Sequence, residues 1–170
     1  MLKKLFVAAF VAIVSFSAYA QAPKFGTVDL QAVMNDMPES AVLEKEIADR
    51  GTKFQNEAKK MEDELQSKYQ AYVEQRDSLD DVTRQMREEE ITTLQQRAQQ
   101  YQQATYNQIQ QYQQQQMSLI QEKMIKAIKA VGDREKFTAI FPTSQGDATY
   151  FSPTDTHDVT AAIKKELGIK

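Results

Sequence analysis

Between Pro38 and Val131 the chain has no further proline and only one glycine, Gly51, over more than ninety residues. Glu, Gln, Lys, Arg, Met, Leu and Ala dominate that stretch, and all of them favour helix. At 1.5 Å per residue a single helix of this length would reach roughly 140 Å, too long to lie inside a globule. The run must be a rod, or a hairpin folded once on itself, standing clear of a small body built by the two ends. Such a shape leaves no room for an enclosed active site. It points to a protein that holds something and does not transform it.

The helical run carries a seam. Ala58, Leu65, Tyr72, Leu79 and Met86 recur every seven residues, with Phe54 and Met61 interleaved, the alternating spacing of a coiled coil. Ile91, Leu94, Ala98, Tyr101, Thr105 and Tyr112 repeat the pattern. Lys68, Gln75 and Gln108 interrupt it and predict loosely zipped arms. Residues 76–81 (RDSLDD) are the one cluster of cap-type residues inside the run. Asp80 is placed to cap a second helix, with Asp81 in its first turn. This predicts a hairpin with its tip at 77–80 and arms over 39–76 and 81–131, the shorter spanning roughly 57 Å. A continuous rod, with Leu79 in an ordinary seam position, is the competing reading. No glycine or proline enforces the turn.

Two composition shifts mark the arms. From Gln95 to Gln116, thirteen of twenty-two residues are glutamine and only Arg97 is charged. That neutral wall, carrying Tyr101, Tyr106 and Tyr112, can hydrogen-bond extended peptide and stack on side chains without demanding a charge pattern. A solvated helix surface is the plainer account of any single glutamine. Further on, Met117, Leu119, Ile120, Met124, Ile125, Ile128 and Val131 occupy more than one helix face, which predicts burial against the body.

The ends supply that body. Residues 24–30 (KFGTVDL) alternate as a strand with Val28 and Leu30 on one face. Residues 31–37 suit a short helix that Pro38 stops, and Pro38 with Glu39 opens the long one. Gly132-Asp133 is expected to close the arm. Residues 137–141 (FTAIF) and 148–151 (ATYF) read as two strands joined across 143–147. Asp158 caps a last helix over 159–167, which Gly168 ends. The domains are therefore 1–20 as a leader, 21–38 and 133–170 as two parts of a β body, and 39–132 as the hairpin. The fold class is α+β, mostly α. A disulfide-free unit this small rarely buries enough surface, and three short strands leave both sheet edges unpaired. Association of several copies solves both problems. Val28, Leu30, Phe137, Ile140, Phe141, Tyr150 and Phe151 are the candidates for the shared body.

The first twenty residues are read as an export signal. Lys3 and Lys4 precede an apolar segment over 5–16, and Ala18-Tyr19-Ala20 supplies the small residues for cleavage before Gln21. The apolar segment is too short for a comfortable membrane span, although an uncleaved amphipathic anchor is the alternative. Without Lys3 and Lys4 the formal charge moves from −3 to about −5. Nucleic acid is a poor partner for that balance. With no cysteine and one histidine, His157, disulfides, metal-thiolate sites and His-based triads are out of reach. A cation site at Asp77, Asp80 and Asp81 lacks the spacing of a calcium loop. Another at Asp155, His157 and Asp158 competes with simple N-capping. No nucleophile-base or paired-acid arrangement stands out, and no phosphate-cradling loop is present. No cofactor, metal or catalytic residue is expected.

Three stretches carry a family resemblance. KFGTVDLQAVMNDMPES resembles the amino-terminal signature of the periplasmic chaperone Skp, or OmpH-like, family. LDDVTRQMREEEI resembles its tip-proximal segment, and YFSPTDTHDVTAAIKKELG its close. Together they span essentially all of residues 24–168. The resemblance implies a homotrimer in which a strand body joins three helical hairpins. Unfolded outer-membrane β-barrel proteins would be held between them, in the periplasm and without ATP. Off-seam Tyr69 and Tyr106 are the candidate client contacts. One departure matters: better-known relatives present positive charge at the hairpin ends, whereas residues 74–90 here hold three arginines against seven carboxylates. Binding to anionic lipid or lipopolysaccharide is therefore not expected. The rival reading is a structural coiled-coil spacer or an envelope assembly adaptor.

Overall fold

The computed structural model describes residues 22–143 and 150–169; the cleavage-site residues Ala18, Ala20 and Gln21 lie outside them. Strand β1 (Phe25–Val28) leads into helix α1 (Leu30–Asp36), whose N-terminus is capped by Asp29 accepting from the Ala32 amide at 2.9 Å. Pro38, which lacks an amide hydrogen, occupies the first turn of α2 (Pro38–Gln75), where none is needed. A single 3-10 turn (Arg76–Ser78) and Leu79 reverse the chain. Asp80 then starts α3 (Asp81–Glu135), its carboxylate accepting from the amides of Val82 at 3.1 Å and Thr83 at 3.0 Å.

The two long helices are antiparallel. Glu39 meets Lys123, Phe54 stacks on Tyr101, and Lys68 meets Glu90. The seam on α2 keeps the three-four spacing through Phe54, Ala58, Met61, Leu65, Lys68 and Tyr72, all half-buried. Met86 does not continue it. It follows the turn, on α3, and is 65% exposed, because reversing the chain resets the register; Ile91, Leu94, Ala98 and Tyr101 take over. Towards the root of α3 the inward positions run Tyr101, Thr105, Ile109, Tyr112, Gln116, Ile120, Met124, Ala127 and Val131. Steps of four outnumber steps of three there, which straightens a helix relative to a heptad supercoil.

Gly132 does not end α3. The helix runs on to Glu135 and closes on Lys136 in the left-handed region (φ 58°), with the Phe137 amide donating to the Gly132 carbonyl at 3.0 Å. Strand β2 (Ala139–Pro142) then pairs parallel to β1, Phe25 opposite Ala139 and Val28 opposite Pro142. Parallel neighbours need a long crossover, and the whole helical hairpin supplies it.

The last strand is not where the alternation places it. Tyr150 and Phe151 lie outside the sheet, and residues 144–149, including most of the expected turn, are outside the described residues. Strand β3 is Thr156–Asp158, parallel to β1 on its other edge, giving the order β2-β1-β3. Burial decides this choice. Val159 (3% exposed) and Ile163 (0%) drop into the core, and the Val159 amide donates to the Thr27 carbonyl at 2.8 Å, which lays the polar segment Thr156-His157-Asp158 beside β1. The closing helix α4 (Thr160–Glu166) follows; Asp158 accepts from the Thr160 amide at 2.8 Å, and Gly168 (φ 74°) turns the chain away.

One core joins body and arms. Val28, Val33 and Met37 pack with Leu43 from α2, Ile120, Met124, Ala127 and Val131 from α3, and Val159 and Ile163. The small body thus recruits the roots of the arms. The apolar band of α3 is only partly consumed: Leu119 and Ile125 remain 53% and 62% exposed, because Ile120 and Met124 take the inward positions beside them.

Candidate functional site: the flank of the helical hairpin

Helical spacing places one set of side chains along a single flank of the hairpin. On α2 they are Gln55, Lys59, Glu62, Gln66, Tyr69 and Val73; on α3, Gln95, Gln99, Gln102 and Tyr106. An open trough of ≈ 1010 Å³ lies along this flank, lined by Phe54, Gln55, Lys59, Glu62, Gln66, Gln95, Gln99 and Gln102 among others. A second hollow of ≈ 420 Å³, lined by Gln99, Gln102, Gln103 and Tyr106, shares two of those glutamines. From Gln55 to Val73 the flank extends roughly 27 Å.

Both candidate client contacts stand on this flank. Tyr69 is 55% exposed and Tyr106 60%, each beside the trough and neither in the seam. The sequence shows their shared face only through their steps of three and four from the trough residues. Gln55, Gln66, Gln95, Gln99 and Gln102 each present both a donor and an acceptor, and Lys59, Glu62 and Asp63 add charge beside them. The trough can therefore meet the unpaired peptide groups of an extended chain from several positions.

The seam beneath is polar as well as apolar. Lys68 occupies an inward position and pairs with Glu90 at 2.7 Å, holding that carboxyl below its ordinary range. The Tyr72 hydroxyl donates to Glu88, which raises the phenol's pKa. Nearer the root, Tyr112 donates to Glu46 with the same effect, and the Arg50 guanidinium sits 3.8 Å from the centroid of its ring. Phe54 and Tyr101 stack at 5.8 Å.

Two of the carboxylates at the tip are committed locally. Asp80 accepts from the Thr83 amide, the Thr83 hydroxyl and the Val82 amide, and these bonds lower its pKa. Asp81 pairs with Arg84. At the other end His157 stands edge-on to Phe137, ring centroids 6.1 Å apart.

The body candidates divide by burial. Val28 lies in the chain's own core at 2% exposure, with Leu30, Phe137 and Ile140 packed against it. Phe141, 42% exposed, lies between Phe25 and Phe151, tilted against each with ring centroids 6.1 Å and 6.0 Å away, and Tyr150 is 84% exposed. Among the described residues, both outer strands have a free edge. No helix among the described residues is long and apolar enough to cross a membrane.

Comparison with known proteins agrees with this architecture. Among curated proteins none matches the chain. The crystal structure of an OmpH-like protein from Caulobacter crescentus CB15, whose presumed role is that of an outer membrane chaperone, superposes with a TM-score of 0.73. The two share 11% identity, over 86% of this chain and 85% of that one. That likeness establishes the fold. The profile of the family described as outer membrane protein (OmpH-like) matches residues 24–167, the arms and both parts of the body, and the chain therefore belongs to the OmpH-like family.

Proposed function

We propose that this protein is an ATP-independent holdase chaperone of the periplasm. It binds unfolded outer-membrane β-barrel proteins along its helical arms and keeps them from aggregating on their way to the outer membrane. The observation that carries the reading is the open trough on one flank of the hairpin, where five glutamines lie among Lys59, Glu62 and Asp63 and exposed Tyr69 and Tyr106 stand alongside. Barrel strands alternate apolar and polar residues, so each segment is only weakly hydrophobic. A surface that recognises peptide groups and aromatic rings suits them better than one deep apolar pocket. Membership of the OmpH-like family supports the chaperone role.

Three copies share the body in this proposal. The outer edges of β2 and β3, free among the described residues, and the Phe25–Phe141–Phe151 cluster are the surfaces on which neighbouring copies meet. Three arms then offer many weak contacts to one client, each quickly reversible, with avidity supplied by their number. Preference for the unfolded client lowers the free unfolded chain by mass action, and no nucleotide is needed. An acidic tip gives anionic lipid or lipopolysaccharide little to bind. Residues 1–20 are the leader that exports the chain, cleaved before Gln21.

The test is dilution of an unfolded barrel protein from urea with light scattering as the readout. Stoichiometric trimer, its mass checked by sedimentation, is expected to suppress the rise. Tyr69→Ser with Tyr106→Ser weakens suppression; full suppression by that double variant removes the tyrosines from the site. Failure of the unaltered protein to suppress scattering would leave a coiled-coil spacer as the better account.

A further inference from the structure

The trough has a floor and two walls of different chemistry. Phe54, Ala58 and Leu65 from α2 and Ala98 from α3 line it from half-buried seam positions. The exposed side chains beside them are polar on both sides, with Gln55 and Gln66 on α2 and Gln95, Gln99 and Gln102 on α3. Lys59 adds donors and Glu62 acceptors to the α2 wall. The stacking of Phe54 on Tyr101 sets the register of the two helices, and one turn nearer the tip the three-four spacing brings Ala58 opposite Ala98. Both side chains end at Cβ, so the seam is thinnest there and the floor dips between Phe54 and Leu65. From Phe54 to Leu65 the floor runs roughly 16 Å, the length of about five residues of extended chain.

An extended strand has the matching sidedness. Its side chains alternate between two faces, and its peptide N–H and C=O groups point sideways between them. Laid in the trough with its apolar face down, such a strand sets alternate side chains on the floor and turns its peptide groups to the amides of both walls. A helix does not fit in this way, because its peptide groups are already bonded to each other and leave the walls unmatched. We infer that the trough takes a stretch of about five extended residues in this one orientation, the central apolar side chain entering the dip over Ala58 and Ala98. This mode of binding rests on the holdase reading and adds to it a selection for strict alternation, not for apolar content alone. Ala58 and Ala98 set that specificity through the room they leave.

The probes are two end-labelled peptides of one composition, each with three apolar and two polar residues between identical polar flanks. In one the residues alternate; in the other the three apolar residues are contiguous. A contiguous run in extended form turns only two of its three apolar side chains to one face, so the floor loses the third. Fluorescence anisotropy with the unaltered, assembled protein should show about tenfold tighter binding of the alternating peptide, as one side chain left unburied implies. N-methylation of that peptide's amides should weaken it several-fold, because the walls lose their donors. Ala58→Leu with Ala98→Leu fills the dip with a side chain that the seam already accepts at Leu65, and should bring the alternating peptide down to the level of the contiguous one. Ala58→Leu alone serves if the double variant loses its helical signal. Equal binding of the two peptides would overturn the inference, as would binding of neither, which would mean a second copy covers the trough. An undiminished preference in the filled variant, or no effect of N-methylation, would do the same. Aggregation of an unfolded barrel protein separates the two proposals. Suppression without a peptide preference removes the strand orientation and keeps the holdase; a preference without suppression does the reverse.

Discussion

The root and the outer part of the hairpin use the same two helices to opposite ends. At the root, Leu43, Ile120, Met124, Ala127 and Val131 are buried by strands and short helices as well as by each other. Beyond Tyr112 towards the tip only Ile91 is buried, at 9%, and inward positions are held by Lys68, Tyr72 and other half-exposed groups. A helix pair alone covers one narrow stripe on each partner, so polar residues are tolerated on it. Burial on several sides is needed for a firm anchor. The lesson is that stiffness here is set by what surrounds a helix, not by its propensity.

Breaking the root should have the largest effect. Ile163→Ala removes a fully buried side chain and should cost about 3 kcal/mol, seen as a lower urea midpoint for the loss of helical signal. Gly26→Val comes next. A Cβ at Gly26 would meet Ile140 Cγ1 at 3.1 Å and the Phe137 ring at 3.2 Å, so a branched side chain overpacks the sheet and should cost about 2 kcal/mol. Neither change should alter amide exchange at the tip relative to the rest of the outer arm.

The outer arm responds in the other direction. Lys68→Leu fills a seam position between Leu65 and Tyr72 and should slow amide exchange around Phe54 to Tyr101 several-fold, since a polar group in the seam weakens it. If the loose seam serves client capture, the same variant should suppress aggregation less well while unfolding later in urea. The smallest effect belongs to Asp80→Ala, which should speed exchange at Val82 and Thr83 about fivefold without moving the global midpoint. Its pH dependence follows from the lowered Asp80 pKa. The cap acts in full above the ordinary aspartate range and is lost only as pH falls through the lowered value. First-turn exchange, corrected for its intrinsic pH dependence, should therefore rise only in acid.

Much of the hairpin is legible in the chain because its signals are local. Pro38 before Glu39, the Asp80 cap, and the three-four spacing from Phe54 to Tyr72 each act within one or two helical turns. Tyr69 and Tyr106 can be selected from spacing alone. The open groove between Val42 of α2 and Leu119 of α3 cannot. Leu119 belongs to an apolar band that reads as wholly buried, and its exposure emerges only when Ile120 and Met124 are seen to take the inward positions. Met86 misleads for a related reason, since a heptad count carried through a turn describes a helix that does not continue.

The amino-acid sequence by itself determined the long helical run, the cap at Asp80 and the glutamine-rich stretch over 95–116, while leaving a continuous rod open. Caps, breakers and side-chain chemistry act over a few residues whatever the rest of the chain does. Only the tertiary structure decided that α3 runs past Gly132 to Lys136, that Thr156-His157-Asp158 forms the third strand, and that Val42 and Leu119 border an open groove. Those outcomes depend on partners far away in the chain. Val159 and Ile163 reach the common core only by drawing the polar segment before them alongside β1, and burial of that kind has no local signature.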